Sequence, residues 1–130
     1  MKQSYLENEF VEFWIEDGII YNRYKPDLKK LTLDVAERIV QDRLTVSNGV
    51  TMPVFIDLTN AISMDKVARK YLATGDAMRY LSASALLVRN EITKLGGNIY
   101  VRIGKPSIPT KLFTDQEKAI HWLQQFKYLN

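Results

Sequence analysis

Six polar side chains that could do chemistry stand together near the middle of the chain. They comprise two carboxylates, two hydroxyls, an amide and an amine, all directly after an apolar run: Asp57, Thr59, Asn60, Ser63, Asp65 and Lys66. Asp57 could bind a cation of a partner or assist phosphoryl chemistry. A carboxylate at this place more often accepts hydrogen bonds from loop N–H groups and only fixes a turn. This polar stretch is the predicted partner-binding site, and the turn role stays open beside it.

The end of the polar stretch also has a purely structural explanation. A helix follows it, and Ser63 or Asp65 can cap the first turn of that helix. Lys66 at the helix start opposes the helix macrodipole, which indicates an anionic neighbour such as Asp65. Capping alone would therefore account for Ser63 and Asp65 without any partner.

Composition argues against several other kinds of chemistry. The chain has no cysteine, which rules out disulfides, thiolate metal sites and cysteine nucleophiles. His121 is the only histidine and no nucleophile-elbow motif accompanies it, so neither a His-rich metal site nor a catalytic triad is predicted. Gly96-Gly97 lacks the pattern of a nucleotide-binding loop. We therefore predict no catalytic residues, no cofactor and no metal.

Length, charge and hydropathy limit the classes of protein to which this chain can belong. A chain of 130 residues is about the size of one domain, for which roughly 100–200 residues is usual. The net charge of +3 is scattered along the sequence, whereas nucleic-acid binders cluster their basic residues on one face. The amino terminus is polar, and no run of about 18 apolar residues occurs. We expect a single cytoplasmic domain, residues 1–130, with no nucleic-acid or membrane partner.

Three short strands are predicted in the part of the chain that positions the polar stretch. Residues 54–58 are apolar apart from Asp57, the pattern of an interior parallel strand. Residues 84–88 and Lys111-Leu112-Phe113 predict two further parallel strands. Open α/β sheets bind their partners at the carboxyl ends of such strands, which is where the polar stretch begins.

A hairpin and a helix are predicted before these strands. Asp17-Gly18 separates two β-rich runs, and this pair is a strong signal for a tight turn between antiparallel strands. Thr32 can cap a first helix, which ends at Asn48-Gly49.

Two more helices are predicted around the later strands. The second is expected at about residues 63–80, with Val67 among the side chains on its inner face. Thr114 and Glu117 form a capping box that opens the last helix, whose inner side carries five apolar residues: Ala119, Ile120, Trp122, Leu123 and Phe126.

Residues 91–103 are ambiguous. Gly96-Gly97 lies between apolar residues in a way that suits a hairpin, while Ile92, Leu95, Ile99 and Ile103 suit one face of a helix. A parallel strand at residues 111–113 requires a crossover, which a helix supplies, so we predict a helix. The element order is then ββαβαβαβα, an α/β single domain with a mixed, mostly parallel sheet, an antiparallel N-terminal hairpin and about four helices.

The order of elements and two motifs resemble the STAS domains, the anti-sigma factor antagonists with a SpoIIAA-like fold. Asp57-Leu58-Thr59 resembles the end of their central strand, and residues 109–123 resemble the last strand and helix of STAS-like bacterial proteins. Lys66 stands where a regulated STAS domain has its phospho-acceptor serine. A lysine cannot accept a phosphoryl group from a serine kinase, so we expect no phosphorylation switch at this position.

The resemblance implies a non-catalytic, cytoplasmic regulatory module that docks a protein partner through residues 59–66 and the exposed side of the second helix. The alternative is a carrier of a lipid-like or anionic small ligand at the carboxyl edge of the sheet, as the SpoIIAA-like group and its CRAL-TRIO relatives suggest. An enzyme ranks third. An apolar pocket with a few polar groups would favour the carrier, and a flat charged surface would favour the docking module.

A weak homodimer through the N-terminal hairpin is a further expectation. It depends on aromatic side chains that one sheet face cannot all bury: Phe10, Phe13, Trp14, Tyr21 and Tyr24.

Overall fold

A computed structural model of the chain describes residues 3–26, 28, 30–60, 63–91, 93–94 and 106–127. These described residues form eight strands and three helices: β1 Gln3–Glu7, β2 Val11–Glu16, β3 Ile19–Tyr24, β4 Lys30–Leu31, α1 Leu33–Ser47, β5 Met52–Asp57, β6 Ser63–Met64, α2 Lys66–Leu72, β7 Leu81–Leu87, β8 Thr110–Phe113 and α3 Gln116–Gln124.

Six of these strands form one mixed sheet. Their order is β1-β2-β3-β5-β7-β8, antiparallel from β1 to β3 and parallel from β3 to β8. The predicted α/β class and the antiparallel N-terminal hairpin are thereby confirmed. Two features were not predicted: β1, which pairs with β2 across an irregular register, and a separate parallel pair of β4 with β6.

The hairpin turn has the predicted conformation. Asp17 and Gly18 both have positive φ, 51° and 75°, as a tight turn between twisted antiparallel strands requires. The turn brings Glu16 opposite Ile19, and the pairing continues to Val11 opposite Tyr24.

Helix α1 begins and ends near the predicted residues, but its first turn is capped differently. Asn48 has the left-handed conformation at the carboxyl end, and its N–H donates to the Leu44 carbonyl. Thr32 lies at the N-cap, yet its hydroxyl donates to the Asp34 carboxylate at 2.5 Å and accepts no backbone N–H.

The second helix is much shorter than predicted. It covers Lys66–Leu72, after which the chain passes through turns to Tyr80, which has a φ of 62°. Thr74 explains the early end, because its hydroxyl bonds to the Tyr71 carbonyl at 2.6 Å and so offers the backbone an alternative to a further helical turn. Val67, predicted to face inward, is 57% exposed.

The capping box predicted for the last helix is not formed. Asp115 is the N-cap residue of α3, and its carboxylate accepts the N–H groups of Glu117 and Lys118. Thr114 instead donates its hydroxyl to the Glu91 carboxylate at 3.0 Å. The ionised Asp115 is the stronger acceptor for N–H groups at the positive end of a helix dipole.

The helix predicted at residues 91–103 lies largely outside the described residues. Within the described part, Glu91, Thr93 and Lys94 are helical, and the Lys94 N–H donates to the Asn90 carbonyl.

Two apolar cores cover the two faces of the sheet. Alternation along β2 and β3 sends Phe13 and Ile20 toward α1 and α2, and Trp14 and Tyr21 toward α3. Ala119 and Leu123 are the fully buried residues of α3 on the second face.

The hairpin aromatics are covered within a single chain. Phe13, Trp14, Tyr21 and Tyr24 are buried, and Phe10 is partly buried against the first core. The predicted surplus of exposed aromatics is therefore wrong, because helices pack on both faces of the sheet. The weak homodimer itself stays a prediction.

Candidate functional site

Asp57 closes the turn that follows the central strand. Its Oδ1 accepts the backbone N–H of Thr59 at 3.0 Å and the Thr59 hydroxyl at 2.6 Å. This is the structural role left open for a carboxylate at a strand end. Both Asp57 and Thr59 are partly buried in this arrangement.

The rest of the polar stretch is tied to the chain segment before α1. The Asn60 side-chain amide donates to the Tyr24 carbonyl at 3.0 Å. Ser63, in β6, pairs with Lys30, and the Asp65 N–H donates to the Leu31 carbonyl. These contacts hold Asn60, Ser63 and Asp65 close to residues that precede α1.

The start of α2 differs from the predicted capping arrangement. Asp65 is the N-cap residue, but its side chain makes no capping hydrogen bond and lies 3.5 Å from Lys30 Nζ instead. Lys66 is the first helical residue and is exposed. Asp65 therefore pairs with a lysine of β4, while Lys66 presents its ammonium group to solvent.

A pocket of about 610 Å³ lies on the sheet face that carries α1 and α2. Four neighbouring residues of one row across the sheet form its floor: Asn22, Ile56, Leu86 and Leu112. Ile39 of α1 and Leu72 of α2 contribute to its walls. Leu58 and Met64 also line it, so the pocket reaches the loop that carries the polar stretch. The six predicted site residues are not among the described lining residues.

Few polar groups line the pocket, and the charged groups among the described lining residues are both arginines. The polar groups include Asn22, Arg43 and Arg69, together with the hydroxyl residues Ser84 and Thr110. No aspartate or glutamate is found among the described lining residues. The rest of the lining is apolar apart from Tyr24 and Thr93, which is typical of small-molecule sites, where a few polar groups fix orientation.

Asn22 is an uncommon residue in the middle of a sheet. It is only 3% exposed, and its Oδ1 accepts no hydrogen bond within the described part of the chain. Leaving a buried acceptor unsatisfied costs about 1–3 kcal/mol. Native proteins usually satisfy such a group, so Asn22 Oδ1 calls for a donor from a ligand or a buried water.

Arg43 is also 3% exposed. Its Nη1 donates to the Arg79 carbonyl at 3.0 Å and its Nη2 donates to the Ala77 carbonyl at 2.8 Å. Burial lowers the pKa of the guanidinium to about 10. None of the described ion pairs joins Arg43 to a carboxylate.

Sequence reasoning missed these pocket residues, although two of them leave a signal. Arg43 follows Ala36, Ile39 and Val40 at the three- and four-residue spacing of the buried face of α1. Asn22 lies between the buried residues Ile20 and Tyr24 on the same face of β3. A polar residue at an inward position of an amphipathic pattern is the signal that could have identified both.

The described ranges contain neither a metal-binding cluster nor a membrane-spanning helix. No group of three or more histidine, aspartate or glutamate side chains there is arranged to hold a metal ion. No helix there combines the length and apolar character needed to cross a membrane.

Comparison with known proteins establishes the fold and the family. A crystal structure of an uncharacterized protein of the DUF3478 family from Shewanella loihica PV-4, described as having a SpoIIAA-like fold, matches with a TM-score of 0.63 and 16% identity, covering 91% of this chain and 98% of that one. The predicted SpoIIAA-like fold is thus confirmed. No curated protein matches the chain. A family model described as Domain of unknown function (DUF7793) matches residues 13–127, and the chain belongs to that family.

Proposed function

We propose that this SpoIIAA-like domain is a carrier that binds an apolar small molecule on the α1 and α2 face of its sheet. The pocket of about 610 Å³ carries this proposal. Its size falls in the range of about 300–1,000 Å³ that is usual for small-ligand sites. Apolar walls with a few polar groups are the feature that favours the carrier over the docking module.

The packing of the domain supports the same proposal. Protein interiors are close-packed, and voids larger than a water molecule are few in each domain. The two cores beside the pocket contain fully buried side chains such as Phe13 and Leu123. A cavity of this size next to such cores is large enough for a small molecule. Burial of the apolar surface of that molecule would make the free energy of binding more favourable by about 25 cal/mol for each Å².

Filling the pocket should abolish binding of a neutral apolar probe. Ser84 is buried on the pocket floor, beside Val54 and Thr110 in the neighbouring strands. We expect the wild-type chain to bind N-phenyl-1-naphthylamine with enhanced fluorescence. Ser84→Trp should remove that signal, because the indole occupies the space of the probe.

The matched control is Val50→Trp, which adds the same side chain at an exposed position outside the pocket lining. It should leave the fluorescence titration unchanged. A wild-type chain that does not bind the probe, or a folded Ser84→Trp variant that binds it equally well, would refute the carrier function.

We propose protein docking through residues 59–66 as a second function. The observation in its favour is an exposed patch at the start of α2, where Val67 is 57% exposed next to the exposed Lys66. Asn60 is exposed on the same loop, and its hydrogen bond to Tyr24 holds it in place. An apolar side chain beside a cation at the start of α2 suits a partner surface that is both apolar and acidic.

Reversing the charge of Lys66 tests the docking function. Lys66→Glu places a carboxylate at the positive end of the α2 dipole, so the fold should be unchanged or gain a few tenths of a kcal/mol. Affinity for a partner captured from cell extract should nonetheless fall, as measured by titration with the purified partner. Lys70→Glu, an exposed position later in α2, is the control. Equal affinity of the wild-type and Lys66→Glu chains for the partner would contradict docking through residues 59–66 and leave these residues with a purely structural role.

A further inference from the structure

We propose that the ligand of this pocket is an amphipathic carboxylate, whose head binds Arg43 and whose apolar body lies on the floor of the sheet. This inference rests on the proposed carrier function and names the chemical class of its ligand. It follows from the charge of the lining, the burial of Arg43 and the distribution of polar groups around the cavity.

The charge of Arg43 has no carboxylate partner among the described residues. Arg43 lines the pocket, no aspartate or glutamate is found among the described lining residues, and none of the described ion pairs includes Arg43. Taking a charged group out of water is costly unless it is paired, so buried arginines usually contact an anion. The Ala77 and Arg79 carbonyls offer Arg43 partial negative charge but no full counter-charge.

Arg38 is an ordinary surface arginine on the same helix and serves as a comparison for Arg43. Arg38 also lies on α1, but half of its side chain is exposed and its Nη1 contacts the Glu9 carboxylate at 3.0 Å. Arg43, in contrast, is only 3% exposed, and none of the described ion pairs joins it to a carboxylate. A guanidinium has five N–H donors, and two hydrogen bonds to carbonyls leave three for a ligand.

The remaining lining defines the rest of the ligand. Ile56, Leu86 and Leu112 make the floor apolar beyond Asn22, and Pro106 and Ile108, which precede β8 in the chain, add further apolar lining. An apolar chain fits this part of the cavity. Asn22 is not assigned to the head group, because an unpartnered carbonyl oxygen accepts hydrogen bonds and would repel a carboxylate.

A head-group series tests the ligand class on the unmodified chain. Dodecanoate, dodecanol and dodecylamine share one apolar chain and differ in the charge of the head group. Each is titrated at pH 8, below its critical micelle concentration, against bound N-phenyl-1-naphthylamine. We expect dodecanoate to displace the probe at a concentration at least about tenfold lower than dodecanol, because the charge-assisted hydrogen bond adds to apolar burial. Dodecylamine should be the weakest competitor.

Substitution of Arg43 then locates the head. Arg43→Met should make dodecanoate and dodecanol equally effective, while Arg38→Met should keep the preference of the wild-type chain. Arg43→Lys keeps the charge and should retain part of the preference, which covers the case in which Arg43→Met does not fold.

The outcomes separate the two proposals. If dodecanol competes as well as dodecanoate on the wild-type chain, the ligand class is wrong and the carrier function stands. A preference for dodecanoate that survives in Arg43→Met or is unchanged in Arg43→Lys would overturn the role of Arg43. If neither the probe nor any member of the series binds, the carrier function and the ligand class both fail.

Discussion

Replacing Phe13 with alanine should lower the free energy of unfolding by about 3–5 kcal/mol, the usual cost of truncating a fully buried aromatic side chain. Phe13 is completely buried, and its strand pairs with β1 on one side and β3 on the other. The cavity left behind would lie between the sheet and α1, where close-packed neighbours can relax only in part. Because small domains have a total stability of about 5–15 kcal/mol, this variant should be close to unfolding.

Urea denaturation followed by circular dichroism measures this loss. Phe13→Leu keeps most of the volume and should cost less than about 1.5 kcal/mol. Val50→Ala, at an exposed position, should stay within about 0.5 kcal/mol of the wild type. A Phe13→Ala chain with wild-type stability would contradict the placement of this side chain in the core.

Replacing Leu123 with alanine should cost about 2–5 kcal/mol by loosening α3 from the opposite face of the sheet. Leu123 is completely buried and packs in the same cluster as Trp14, Phe55 and Phe113. Since α3 is only nine residues long, packing rather than helix propensity has to stabilise it. The change should therefore lower the unfolding midpoint in urea and shift the combined emission of Trp14 and Trp122 to longer wavelength.

The pocket offers an internal control for Leu123→Ala. It lies on the other face of the sheet, and Leu123 is absent from the described lining, so the folded variant should still bind N-phenyl-1-naphthylamine. Gln124→Ala, the exposed neighbour on α3, should leave both stability and binding unchanged. Loss of probe binding in Leu123→Ala under conditions where it remains folded would show that the two faces are coupled.

The sequence predicts those elements whose signals are local. Asp17-Gly18 marks the hairpin because both turn residues need positive φ, and Asn48 ends α1 for a related reason. The short apolar runs that predict β5 and β7 are visible without knowledge of their partners. β4 and β6 are only two residues each, and they exist because Lys30–Leu31 and Ser63–Met64 meet across the fold, which no local pattern indicates.

The polar stretch and the pocket also differ in how far local sequence signals predict them. The loop that begins at Asp57 is recognisable because its polar residues follow one another in the sequence. The pocket combines Asn22 of β3, Arg43 of α1 and Leu112 of β8, which come together only when helices pack on the sheet. Its polar residues look like isolated exceptions in amphipathic patterns until the tertiary structure shows that they line one cavity.

The edges of the large sheet bear on aggregation. At one edge, β1 has an irregular register between Gln3 and Leu6, and Ser4 has a φ of 52°, which interrupts the row of N–H and C=O groups that another chain would need. At the other edge, β8 has only four residues and carries the exposed Lys111. Bulges, short edge strands and lysines are the features that discourage strand addition between molecules. Neither edge of the sheet formed by the described strands therefore suits continuation of the sheet from one chain to the next.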